Sequence, residues 1–182
     1  MELDTMLILD EEVNLETDYL SLSFFGEIEM TELEKLSQLK KLKHLNVSSS
    51  DLFDKHLEII GQLETLELLD LDLTEITDNG LRNLKPLKQL RELRLKDNPQ
   101  LTDDCIESLL DIEQLQLIHI ENTSISIMGL IKLITQKELK SVIVGIEFDN
   151  EIDELLRITE KYPKLEITLK GAGIISNGKR NE

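Results

Sequence analysis

The chain is poor in most of what builds an ordinary small core. Of 182 residues, one is cysteine, none is tryptophan, six are phenylalanine or tyrosine, and three are proline. A lone Cys105 cannot close an internal disulfide, so a reducing compartment is expected and the chain is read as cytoplasmic. With aromatics at 3%, the interior must be assembled from Leu, Ile and Val, side chains that suit repeated identical layers. No apolar run approaches the roughly 18 residues that cross a bilayer. The opening Met1-Glu2-Leu3-Asp4 also lacks the basic-then-apolar order of a signal peptide, so no membrane association is expected. Cations are the other shortage: 20 Lys and Arg against 37 Asp and Glu give a formal charge of -17. Nucleic-acid binding needs clustered Lys and Arg to neutralise phosphates, so no nucleic acid is expected and a basic or mixed protein surface is the better partner. The excess is uneven, because residues 1–36 hold eleven acids against Lys35 alone. The simplest reading of that stretch is a solvated face.

What is present is a period. The first residue of each apolar-x-apolar pair falls at Leu20, Leu45, Leu69, Leu93, Ile118, Val142 and Ile167, giving steps of 25, 24, 24, 25, 24 and 25. One full unit reads Leu63, Leu66, Leu69, Leu71, Thr74, Ile76, Thr77, Asp78, Gly80, Leu81, Leu84. It recurs from Leu87 to Leu109 and again from Ile112 to Leu133. The extra residue in the 93–118 step belongs to the turn Asn98-Pro99-Gln100, where an insertion can bulge outward. Within a unit, Leu69 and Leu71 alternate with Asp70 and Asp72, the period of two that turns leucines inward on a short strand. Thr77-Asp78 and Thr102-Asp103 carry oxygens suited to capping the helices that follow, and Thr31-Glu32-Leu33-Glu34 has capping-box spacing. Helices are expected near 31–38, 54–61, 78–85, 103–110, 127–135 and 150–161.

These units resemble the leucine-rich repeat family, in particular its bacterial and ribonuclease-inhibitor-like subtypes, over residues 39–134. The resemblance implies an α/β fold: a right-handed solenoid with a concave parallel sheet of about seven strands and helices on the convex side. The end units are degraded, with Asn14 and Thr17 in place of two leucines, as expected of layers with no outer neighbour. The expected organisation is a capping segment over 1–18, the solenoid over 19–170 and a flexible tail over 171–182. Met6-Leu7-Ile8-Leu9 is either a capping strand beside residues 19–23 or a mobile arm.

Recognition of proteins is what the resemblance implies, and the outward strand positions say where. Leu68, Leu117 and Ile143 are apolar where water should be, and Asp70, Asp72, Glu92, Arg94, Lys96, His119 and Glu121 surround them. An apolar strip rimmed by charge is the expected partner-binding site. The function read from this is a non-catalytic protein-binding module, in the sharper form an immunity protein or inhibitor that neutralises a basic toxin or enzyme. The alternative is a secreted bacterial effector or adaptor whose repeats target a host protein.

No catalytic constellation emerges. Cys105 belongs to a helix start and His119 to the sheet, so they are not expected to meet. His44, His56 and His119 show no metal-ligand spacing, and neither metal, cofactor nor small-molecule substrate is expected. Gly173, Gly178 and Lys179 imitate a phosphate-binding loop, but Arg180 stands where a Ser or Thr is required. Asn46-Val47-Ser48 and Asn122-Thr123-Ser124 match glycosylation acceptors within or beside repeat strands, where they are discounted. Asp70 and Asp72 are expected to be a solvated pair.

Overall fold

A computed structural model of the chain describes residues 4–145 and 152–181. Each repeat contributes one short strand. These are β3 (Tyr19–Ser21), β4 (His44–Asn46), β5 (Leu68–Asp70), β6 (Glu92–Arg94), β7 (Leu117–His119), β8 (Ser141–Val144) and β9 (Glu166–Leu169), each parallel to the next. Their central residues lie in one register, Leu20–Leu45–Leu69–Leu93–Ile118–Val142–Ile167, so the period in sequence becomes a ladder in space. Six of these seven rungs are 0% exposed, and the buried cluster runs from Ile8 to Ile175. No unit could bury its own leucines; each is covered by the coil before and after.

The opposite side carries α1 (Met30–Lys35), α2 (Asp54–Ile60), a 3-10 turn at Gly80–Leu84, α3 (Ile106–Leu110) preceded by a 3-10 turn, α4 (Ile127–Gln136) and α5 (Ile152–Lys161). Residues 150 and 151 of the last expected helix lie outside the described residues. Segments of 5–10 residues are too short to be helical alone, so packing on the ladder holds them. The helix expected over 78–85 tightens to 3-10 because Gly80 weakens it and Pro86 has no N–H to continue it.

The capping box expected at Thr31–Glu34 does not form, since α1 begins after Glu29 with no side-chain cap. Glu32 is used elsewhere: its Oε2 accepts the Leu9 N–H at 2.8 Å and its Oε1 binds Lys35 Nζ at 2.6 Å. These contacts fasten a hairpin, β1 (Thr5–Ile8) and β2 (Glu11–Asn14), against α1. The hairpin is a sheet of its own and does not pair beside residues 19–23.

Over its described residues, the segment expected to be a flexible tail is strand. β10 (Gly173–Ser176) pairs antiparallel with β9, and β11 (Lys179–Asn181) pairs with β10, which makes a nine-stranded sheet where about seven strands were expected. The cause is Asn177-Gly178, both at positive φ, the two-residue turn that matches strand twist. Gly178 N–H also donates to the buried Thr159 hydroxyl of α5 at 3.1 Å. The sequence that imitated a phosphate loop is thus a hairpin closing the end of the core, with Ile175 fully buried in it.

Candidate binding face

Strand register places the ten expected site residues on one sheet face in three rows. The first runs Leu68–Glu92–Leu117–Ser141, the second Asp70–Arg94–His119–Ile143. Asp72, Lys96 and Glu121 follow two residues beyond the second row. Leu68, Leu117 and Ile143 share the face but are half-buried, and Glu92 separates the two leucines. The expected apolar strip is therefore interrupted. Larger apolar exposure lies at the strand ends, at Phe24 (82%) and Leu73 (56%). Both belong to a fourth row, Phe24, Ser49, Leu73, Asp97 and Asn122, in which every residue has positive φ. Asp and Asn adopt that conformation at little cost, whereas for Phe and Leu it is strained and exposes an apolar side chain. Sequence reading missed these two because alternation along a strand does not anticipate the left-handed turn that ends it.

The charged residues are mutually bound. Arg94 Nε donates to Glu92 Oε1 at 2.8 Å, and its Nη1 lies 3.6 Å from Asp70 Oδ2. His119 Nε2 meets Glu121 Oε2 at 3.1 Å, and Lys96 Nζ lies 3.3 Å from Asp97. Asp70 and His119 are each only 8% exposed, so the solvated carboxylate pair expected from sequence is corrected. Asp70 Oδ1 accepts the Asp72 N–H at 3.1 Å, and Asp72 Oδ1 accepts the Lys96 N–H at 2.7 Å. Burial, with the Asp70 charge beside it, pushes the Asp72 carboxyl up to about 6, against the pull of Lys96 N–H, His119 and Arg94. Among the acids of the ten expected site residues, Asp72 is the one with no cationic side chain bonded to it.

Cys105 and His56 are structural. Cys105 is fully buried, and desolvation, with the charges of Asp78 and Asp103, pushes its thiol well above the usual range. A thiol held in that state is a poor nucleophile. His56 is also fully buried: its Nδ1 accepts the Phe53 N–H at 2.8 Å, capping α2, and burial lowers its pKa. Among the described residues no group of His, Cys, Asp and Glu has metal-site geometry, and no helix is long and apolar enough to cross a membrane.

Total charge conceals a segregation. The turns leading from strand to helix (23–29, 47–54, 71–79, 95–104 and 120–126) hold eleven acids and one cation, Lys96. The turns returning from helix to strand (36–43, 61–67, 85–91, 111–116, 137–140 and 161–165) hold ten cations and five acids. One rim of the sheet is thus strongly acidic and the other basic, and Asp72 and Leu73 lie where the face meets the acidic rim.

No family model matches the chain, and no curated protein sequence matches it. Solved structures do. The chain is similar to an internalin C2 from Listeria monocytogenes, with 20% identity and a TM-score of 0.53, over 87% of this chain and 74% of that one. It is also similar to an internalin, inlF, from the same species, with 17% identity and a TM-score of 0.52, over 87% of this chain and half of that one. The fold is a leucine-rich-repeat solenoid. Its end hairpins, charged rims and sheet face are features of this chain's own residues.

Proposed function

We propose that the solenoid is a non-catalytic protein-binding module that receives a basic protein on its sheet face where the face borders the acidic rim. The role is that of an immunity protein or inhibitor neutralising a cationic toxin or enzyme. The observation that carries this reading is Asp72: a partly buried carboxylate with no bonded cation, beside Asp70 and the exposed Leu73, in a border of eleven acids to one cation. A partner Lys or Arg would supply the missing charge while Leu73 and Phe24 bury apolar surface, the pairing of anchor and charge that gives both affinity and orientation. Among the face residues, Arg94 and His119 are already engaged by Glu92 and Glu121. They hold the acidic groups in place.

The test is capture from lysate with wild type, with Asp72→Asn/Leu73→Ala/Leu117→Ala, and with Lys85→Ala/Lys88→Ala on the basic rim, followed by titration of the purified partner at low and high salt. The expected partner is basic, is lost by the first variant and kept by the second, and weakens as salt rises. A partner retained by the face variant, or indifferent to salt, overturns the reading.

A further inference from the structure

The basic rim follows a rule that fails at one place. Its cations are matched by acids one coil away: Lys43 with Glu67 at 2.8 Å, Lys85 with Asp111 at 3.0 Å, and Lys88 with Glu113 at 2.6 Å. In the last two coils the next layer brings no acid. Lys137 and Lys140 line one cavity with Lys161 and Lys164, and among the described residues none of these four is in an ion pair, although Asp111 and Glu113 of the preceding coil still act on Lys137. Between them lies a cavity of about 290 Å³, with Tyr162 and Leu139 also in its wall and Glu138 as its single acid. Burial lowers the pKa of Lys137, whose Nζ donates to the Leu110 carbonyl at 3.2 Å. Like charges on adjacent layers repel and destabilise. In a chain of net charge -17, Lys140, Lys161 and Lys164 gathered without a carboxylate paired to any of them mark a place where an anion from outside completes the alternation; Lys161 rests against the Tyr162 ring, 5.4 Å from its centroid.

We propose that this cavity binds a phosphorylated small molecule, its phosphate held by Lys140, Lys161 and Lys164 and its body lying against Tyr162. Lys140, Lys161 and Lys164 against Glu138 leave two charges to balance, more than a single carboxylate ligand supplies, and lysine serves phosphate as a point charge. The volume is at the small end for ligand pockets, which limits the ligand to a compact molecule. The site lies on the opposite rim from Asp72 and does not depend on the partner proposed above.

Pyrophosphate is the probe, titrated by calorimetry and by NMR at about 0.15 M salt, with citrate as the carboxylate comparison. The variants are Lys161→Gln/Lys164→Gln and, as a control for general electrostatics, Lys85→Gln/Lys88→Gln. The expected result is saturable one-site binding that weakens about tenfold or more in the first variant only, with citrate weaker than pyrophosphate. Absence of saturable binding, equal weakening in both variants, or citrate binding as tightly as pyrophosphate would overturn the proposal.

Discussion

Asp78 grips Thr102 of the next coil with both carboxylate oxygens, Oδ1 accepting the backbone N–H at 2.8 Å and Oδ2 the hydroxyl at 2.7 Å. The same clamp joins Asp54 to Thr77 and Asp103 to Ser126. Each Thr or Ser oxygen in turn accepts an N–H from its own coil: Asn79 for Thr77, Asp104 for Thr102 and Gly129 for Ser126. Capping within a coil and attachment between coils are therefore one network, and the aspartates expected to cap helices are the rivets of the stack.

Asp78→Ala removes both acceptors from a partly buried N–H and hydroxyl. The expected cost is about 1–3 kcal/mol in a urea melt. Asp104→Ala, one residue from a rivet but exposed, should change stability by less than about 0.5 kcal/mol. Equal effects from the two would contradict the clamp.

Asn98 is the second joint between coils. It is fully buried, its Nδ2 donates to the carbonyls of Leu71 and Leu95 at 2.9 Å each, and its Oδ1 accepts the Thr74 N–H at 3.0 Å. Asn98→Leu fits apolar volume into the slot but orphans the Leu95 carbonyl and the Thr74 N–H and leaves the Leu71 carbonyl with the Thr74 hydroxyl alone. A loss of about 3 kcal/mol or more is expected, as large as a core truncation such as Leu93→Ala at about 2–5 kcal/mol. A chemical melt showing Asn98→Leu as benign would mean that water or a neighbour replaces those bonds.

Gly61 ends α2 with ordinary dihedrals, φ -62 and ψ -11, so backbone freedom does not explain it. Approach does: a Cβ there would stand 2.0 Å from the Asn83 carbonyl oxygen of the next coil. That neighbour is backbone and cannot swing aside, so Gly61→Ala must push the two coils apart. We expect about 1–3 kcal/mol of destabilisation, even though alanine is the better helix former. Thermal melts finding Gly61→Ala neutral or stabilising would refute the contact.

These joints explain what the sequence made legible and what it did not. The ladder from Leu20 to Ile167 was readable because its period is carried by residue type alone. Asn177-Gly178 carried an equally strong hairpin signal, but the Gly173 to Lys179 spacing suggested a phosphate loop and a loose tail. The Asp78 clamp was hidden because its partner lies 24 residues away and a local capping rule already accounted for the aspartate. Asp70 and Asp72 point outward on a strand, and alternation equates outward with solvated. The coils alongside bring Arg94 and His119 over them, and no single repeat shows that crowding.

Asp72 makes that crowding measurable. Its carboxyl titrates near 6 in the folded chain against 3.8 for the free group, so the folded state holds the proton more tightly than the unfolded one. Below both values the group is protonated in both states and contributes nothing against folding; as pH rises through 6 the folded chain must carry a crowded carboxylate and loses stability. Asp72→Asn keeps an oxygen to accept the Lys96 N–H and removes the charge. The variant should be more stable than wild type at pH 7–8 by about 1–2 kcal/mol, after allowance for solvent screening, with the gap closing near pH 4. The lowered pKa of His56 destabilises both proteins alike in acid and cancels in the difference. A gap that is constant between pH 4 and 8 would show that burial and Asp70 do not raise the Asp72 carboxyl.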